Sequence, residues 1–208
     1  MRGDPTLSKE HSIKLAQIAR EHNLAQFRAF GEFFEGWAEV GSDLPRAVSD
    51  MRRGAEELRA QKVLVFDGLV KIALAKTEAD AGQRDRALST LDEALATARR
   101  LDYRAFEAEL HRARGELLLQ SSPPDPTAAD GALRTAIDIA HRQRTRSFGL
   151  RAALSLAKLY QSTARPAEAH AVLAPALEGF SPTPEMPEIA EALALLAAIE
   201  ADAHVGPE

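Results

Sequence analysis

Apolar and small residues recur along this chain with helical spacing. The clearest unit is a small residue, a large apolar one four positions on, and a second small one three further. It occurs as Ala47-Met51-Gly54, Ala87-Leu91-Ala94, Ala129-Leu133-Ala136 and Ala169-Leu173-Ala176, with starts 40, 42 and 40 residues apart. Offsets of i, i+4 and i+7 lie on one face of an α-helix. A small-large-small face lets a neighbouring helix approach closely with one knob seated between. A fixed period near 40 residues is the mark of a repeat architecture, in which each unit buries its apolar face against the next.

The pattern predicts the triplet helices over 44–59, 84–100, 126–144 and 166–178. Each follows a first helix, over 24–40, 63–81, 103–120 and 146–162. Pro45 and Pro166 fall in first turns, where the missing N–H costs nothing. Gly41 and Gly82 fall where the chain reverses and a permissive backbone is expected. Ser121-Ser122-Pro123-Pro124-Asp125-Pro126 is a loop insertion that explains the longer 42-residue interval, since the repeat resumes in phase. Residues 7–22 read as an orphan second helix: Leu15-Ala16-Gln17-Ile18-Ala19-Arg20 parallels Ala94-Leu95-Ala96-Thr97-Ala98-Arg99. Residues 185–203 form one further, capping helix after Pro182 and Pro184. The expectation is a single all-α domain over 1–208, an α-solenoid with a half repeat at 7–22, repeats at 24–60, 63–101, 103–144 and 146–179, and a cap at 185–203.

Composition narrows the chemistry. Of 208 residues, 26 are Lys or Arg and 31 Asp or Glu, a net charge of −5, which argues against a nucleic-acid binder. Cysteine is absent, so disulfides, zinc–thiolate sites and thiol nucleophiles are excluded. Aromatic residues are 5%, too few for an ordinary all-β core. The apolar stretch Ile189–Ile199 is far shorter than the ~20 residues that span a bilayer. With no cysteine and no apolar leader after Met1-Arg2-Gly3-Asp4-Pro5, the expected compartment is the cytoplasm, without a membrane partner.

No phosphate-binding loop, dinucleotide fingerprint or nucleophile elbow is present. Glu107 and His111 are an i, i+4 pair that could grip a metal, but a helix-face pair is the commoner occurrence; Asp138 and His141 have the same standing. Glu56-Glu57, Asp92-Glu93 and Glu107/Glu109 read as solvated faces, and Trp37 as a packing residue. No catalytic, metal or cofactor residue is assigned, and the chain is not expected to be an enzyme. Two charge features stand out. His141, Arg142, Arg144, Arg146 and Arg151 crowd one turn, and no Lys or Arg follows Arg165, whereas Glu168, Glu178, Glu185, Glu188, Glu191, Glu200, Asp202 and Glu208 do. They are read as a soluble capping end, or as patches that steer a partner or a second copy.

The helix pair resembles the tetratricopeptide repeat, lengthened from 34 residues to about 40. In that family's frame the first helix carries a small residue twelve positions before the triplet and an aromatic three later. Ala157 and Tyr160 fit, as do Gly115 and Leu118 with two inserted residues. Ala75 fits, but Glu78 replaces the aromatic; Trp37 takes the aromatic place only with an insertion, and Phe34 is not small. Glu107 to Leu119, Leu150 to Leu159 and Gly36-Trp37-Ala38 are similar to stretches in large bacterial signalling proteins. These join a class III adenylate cyclase or DNA-binding domain to a STAND-type ATPase and then to tetratricopeptide-like repeats. The resemblance runs from about residue 10 to 200 and covers the repeat part alone.

It implies a right-handed superhelix whose first helices line a concave groove, and a sensing or scaffolding role. The implied groove residues are Arg28, Glu35, Glu39, Lys76, Asp80, Glu109, Arg112, Glu116, Gln120, Arg151 and Lys158. Both signs are present, which suits a mixed-charge protein or peptide partner. Arg112, central and expected to be exposed, is the first candidate to clamp a partner's carboxylate, with Arg99 on the opposite, convex side. The alternatives are a regulatory fragment of a cyclase–ATPase protein and a small-molecule effector sensor.

Overall fold

A computed structural model describes residues 5–183 and 186–204, with side chains described over 10–183 and 186–201. Among the described residues there are ten α-helices and no strand. They are α1 (Pro5–Glu21), α2 (Ala25–Ala38), α3 (Leu44–Ala60), α4 (Asp67–Asp80), α5 (Arg84–Leu101), α6 (Glu107–Leu119), α7 (Pro126–Gln143), α8 (Arg146–Ser162), α9 (Pro166–Leu177) and α10 (Pro187–His204). The chain divides into two compact units, one ending at Phe106 and the other beginning at Glu107.

The triplet stripes are the inner faces of α3, α5, α7 and α9. Ala47, Met51, Ala87, Leu91, Ala129, Leu133, Ala136, Ala169 and Leu173 have no exposed surface, and only Ala176 is partly open. In the first unit Phe33, Met51, Leu58 and Leu74 form the centre of the core, with Trp37 packed against it from α2. In the second, Leu133, Leu150, Leu156, Tyr160, Leu173 and Ile189 do so. Asp43 and Asp125 cap α3 and α7 by accepting from the amides of Arg46 (3.1 Å) and Ala128 (2.9 Å).

The turns between repeats are more regular than the sequence reading. α1, α3, α5 and α7 are each followed by a left-handed residue: Asn23, Lys62, Asp102 and Arg144. Four positions after each stands a phenylalanine: Phe27, Phe66, Phe106 and Phe148. Nine positions after each phenylalanine stands the small residue of the first helix: Gly36, Ala75, Gly115 and Ala157. All three rows advance by 39, 40 and 42 residues. α4 and α6 begin four residues later than expected, because residues 63–66 and 103–106 form a turn ahead of the helix. Gly82 is left-handed as expected, Ala164 takes the same place in the last hairpin, and Gly41 does not need positive φ.

Gly36 corrects the first repeat. A Cβ there would lie 2.8 Å from the Met51 amide nitrogen and 3.1 Å from the Ala47 carbonyl. A Cβ on Gly115 would meet Leu133 and the Ala129 carbonyl in the same way. Gly36 is therefore the small residue of its helix, and Glu39, not Trp37, takes the place three further on.

Candidate functional site

The first helices of the second unit bring four of the implied residues together. Glu109, Arg112 and Glu116 lie on successive turns of α6, and Arg151 and Lys158 are two turns apart on α8, which packs on α6. Arg112 makes a two-pronged pair with Glu109, Nε to Oε1 and Nη2 to Oε2, both 3.1 Å. Its third nitrogen donates to Glu116 at 2.6 Å. Arg151 bridges Glu109 of α6 (3.2 Å) and Glu188 of α10 (3.1 Å). The Ser155 hydroxyl donates to Glu116 at 2.6 Å. Lys158 pairs with Glu191 of α10 at 2.6 Å, and both are about half exposed.

This overturns one expectation. Arg112 is not an exposed guanidinium open to a partner. Its side chain is 18% exposed and all its prongs are engaged. Burial disfavours the charged form, but Glu116 and Glu109 outweigh it and hold its pKa above the ordinary arginine value. Arg112→Glu would leave the buried Glu109 carboxylate with Arg151 alone and set a second carboxylate beside it, so it cannot be neutral for stability. The sequence reading had the residues and missed that i, i+3 and i, i+4 neighbours of opposite sign would satisfy one another first.

The first unit differs. From the small residue of the first helix to the triplet there are eleven positions here (Gly36 to Ala47) against twelve in the second and fourth repeats (Ala75 to Ala87, Ala157 to Ala169), so counting back from the α3 triplet shifts the register. Counted from the left-handed residues, the counterparts of Glu109 and Arg151 are Phe30 and Leu69, and those of Glu116 and Lys158 are Trp37 and Lys76. Arg28 instead reaches Glu57 of α3 at 3.5 Å, and Glu39 accepts from the Ser42 hydroxyl. Glu35 is partly buried, while Lys76, Asp80 and, in the second unit, Gln120 are exposed. The matching surface of the first unit is thus largely apolar where that of the second is charged.

The basic residues around Arg144 do not act together. Arg146 donates to the Glu178 carbonyl and lies over the Phe180 ring at 4.7 Å, whereas Arg151 enters the α6–α8–α10 network. Four carboxylates of the acidic end are paired: Glu168 with Arg165, Glu188 with Arg151, Glu191 with Lys158, and Glu200 with His170. Glu185, Glu208 and the Asp202 side chain lie outside the described residues. Glu107 and His111 are buried, not on the surface, and no group of three or more potential metal ligands occurs among the described residues.

A second polar arrangement joins α7 and α8. The buried Tyr160 hydroxyl donates to Asp130 and accepts from Arg134, each at 2.5 Å, while Arg165 stacks over the ring at 4.2 Å. A cavity of about 270 Å³, bounded by Asp130, Thr163 and Arg165, opens beside it. Asp130 and Arg165 already hold Arg134 and Glu168, so their charges are satisfied. Burial and the hydrogen bond to Asp130 push the Tyr160 phenol up to about 12, against the pull of Arg134 and Arg165. A raised folded-state pKa means the neutral phenol is favoured. Its contribution is complete below pH 10, the ordinary phenol value, and is lost as pH rises through about 12. The chain has two tyrosines, so in a Tyr103→Phe variant the remaining phenol should titrate near pH 12 by ultraviolet absorbance. Titration near 10 in the folded protein would refute both the burial of the phenol and its bond to Asp130.

No helix among the described residues is long and apolar enough to cross a membrane. Compared with known proteins, the chain matches no family model and no curated protein.

Proposed function

We propose that the chain is a non-catalytic module that binds a protein or peptide through the α6–α8–α10 face. The observation that carries this is that Glu109, Arg112, Glu116 and Arg151, scattered over 43 positions of sequence, meet in one ion-pair network. Helical hairpins of near-constant period, resembling tetratricopeptide repeats, display charged side chains in rows across stacked helices, and a partner can touch several helices at once. The sensing or scaffolding role implied by the resemblance to cyclase–ATPase signalling proteins agrees with this reading.

The network makes the face selective. Glu109 and Arg112 are too well satisfied to exchange partners, so they act as a fixed base that positions Glu116 and Arg151. The Lys158–Glu191 pair is open to solvent and contributes little to stability, so a partner's carboxylate can displace Glu191 at small cost. Lys158, not Arg112, is then the residue that first engages the partner.

The test is capture of partners on the immobilised protein from cells of the source organism, followed by affinity measurement on the purified partner. Lys158→Glu should weaken binding by about 1–2 kcal/mol through a lost pair and new repulsion. Arg84→Glu, at an exposed position at the start of α5, should leave it unchanged. If Arg84→Glu reduces affinity and Lys158→Glu does not, the α6–α8–α10 face is the wrong surface.

A further inference from the structure

A second surface lies on the first unit, where its inter-repeat turns meet at one edge. The Phe66 ring, at the start of α4, meets Phe30 of α2 at 6.1 Å in an edge-on contact. Arg28 reaches Glu57 at 3.5 Å, tying the same two turns. Gly68 lies against Phe106, where a Cβ would come within 2.7 Å of the phenylalanine Cβ, and Arg59 lies 3.9 Å from Glu93, so the third turn joins the row.

This edge is apolar to a degree found nowhere else among the described residues. Of the ten exposed large apolar residues, eight belong to it, among them Phe27 at 41%, Val65 at 56%, Phe66 at 46% and Tyr103 at 55%. The edge is also basic in a chain of net charge −5. Residues 18–28, 57–70 and 98–106 hold seven Lys or Arg against four Asp or Glu. Each turn offers one exposed cation with no ion-pair partner among the described residues: Arg20, Lys62 and Arg100. Three helix C-termini and two N-termini meet here, so their partial charges largely cancel and the side chains set the sign.

Exposed rings interleaved with cations need a partner that supplies apolar residues and carboxylates together. We propose that this edge docks an amphipathic helix of a partner protein, with bulky apolar residues seated on Phe27, Phe66 and Leu69 and an acidic flank facing Arg20, Lys62 and Arg100. A basic helix would be repelled, and a polar acidic peptide would leave the rings in water. The surface shares no residue with the α6–α8–α10 face, so the two readings stand or fall separately.

The test uses fluorescence anisotropy on the full chain with a fluorescein-labelled synthetic helix of about 18 residues, Leu at i, i+3, i+4 and i+7 and Glu at its charged positions. A Leu–Lys counterpart serves as the control. The Leu–Glu peptide should bind at least about tenfold more tightly than the Leu–Lys peptide, and less tightly as salt is raised. Phe66→Ser and the double variant Arg20→Glu/Arg100→Glu should each weaken it about tenfold. Both alter exposed side chains, and circular dichroism melting confirms that the variants fold. Lys158→Glu should leave this binding unchanged. The proposal is overturned if the Leu–Glu peptide does not bind, if the Leu–Lys peptide binds as well, or if neither variant weakens binding. It is equally overturned if sedimentation shows a dimer that Phe66→Ser dissociates, because the occupant is then a second copy.

Discussion

Arg52→Met is expected to destabilise the first unit by about 3 kcal/mol, from the loss of a buried ion pair. Glu78 of α4 has no exposed surface, and its carboxylate is held by Arg52 of α3 at 2.6 Å and by the Thr90 hydroxyl of α5 at 2.7 Å. Without Arg52 a buried carboxylate keeps Thr90 and a distant Arg86 at 3.9 Å. That residual support sets the expected cost at the lower end of the range for broken buried pairs. Glu78→Leu should cost less, since Arg52 is 24% exposed and can turn toward water. The double variant Arg52→Met/Glu78→Leu should recover most of the loss, because a well-packed apolar pair avoids the desolvation cost altogether. Urea unfolding followed by the fluorescence of Trp37, the one tryptophan, reports on this unit directly. A double variant no more stable than Arg52→Met alone would show that Glu78 is not the reason Arg52 matters.

Gly54→Ala should cost about 2 kcal/mol although alanine is the better helix former by about 1 kcal/mol. The added Cβ would lie 2.8 Å from the Phe33 amide nitrogen and 2.9 Å from the Ala29 carbonyl. Both are backbone atoms of α2, so relief requires the two helices to separate and opens the Phe33–Met51 core between them. Gly131→Ala is the comparison. It is exposed on α7, and a Cβ there meets nothing within 4 Å. It should be neutral or stabilise by up to about 1 kcal/mol. Equal melting temperatures for the two variants would show that α2 and α3 are not locked as closely as the Gly54 contacts require.

The Arg52–Glu78 pair has a counterpart in the second unit. Arg52 and Glu78 stand 26 residues apart, as do Arg134 and Tyr160, and each arginine reaches from a second helix to the same place on the next first helix. One repeat fills that place with a carboxylate, the other with a phenol. In the tetratricopeptide frame Glu78 reads as a departure from the aromatic. With Arg52 and Thr90 in view it is an equivalent solution, because either group can accept a hydrogen bond from the guanidinium.

What the sequence by itself determined is what a local period can carry. The i, i+4, i+7 triplets located the second helices to within a residue or two, and eleven of the twelve triplet residues are buried. The phenylalanines at intervals of 39, 40 and 42 were equally open to reading and would have set the register of α2 correctly. The tertiary structure decided which charges are available. Spacing along a helix says that Arg112, Glu109 and Glu116 share a side; it does not say that Arg151 and Glu188 arrive from other helices to complete the network. It likewise decided that Phe27 and Phe66 stay exposed while Phe33 is sealed. Helical periodicity is a property of neighbours in sequence, whereas ion pairing and burial depend on residues tens of positions away, whose approach is set by how closely the small faces let the helices pack.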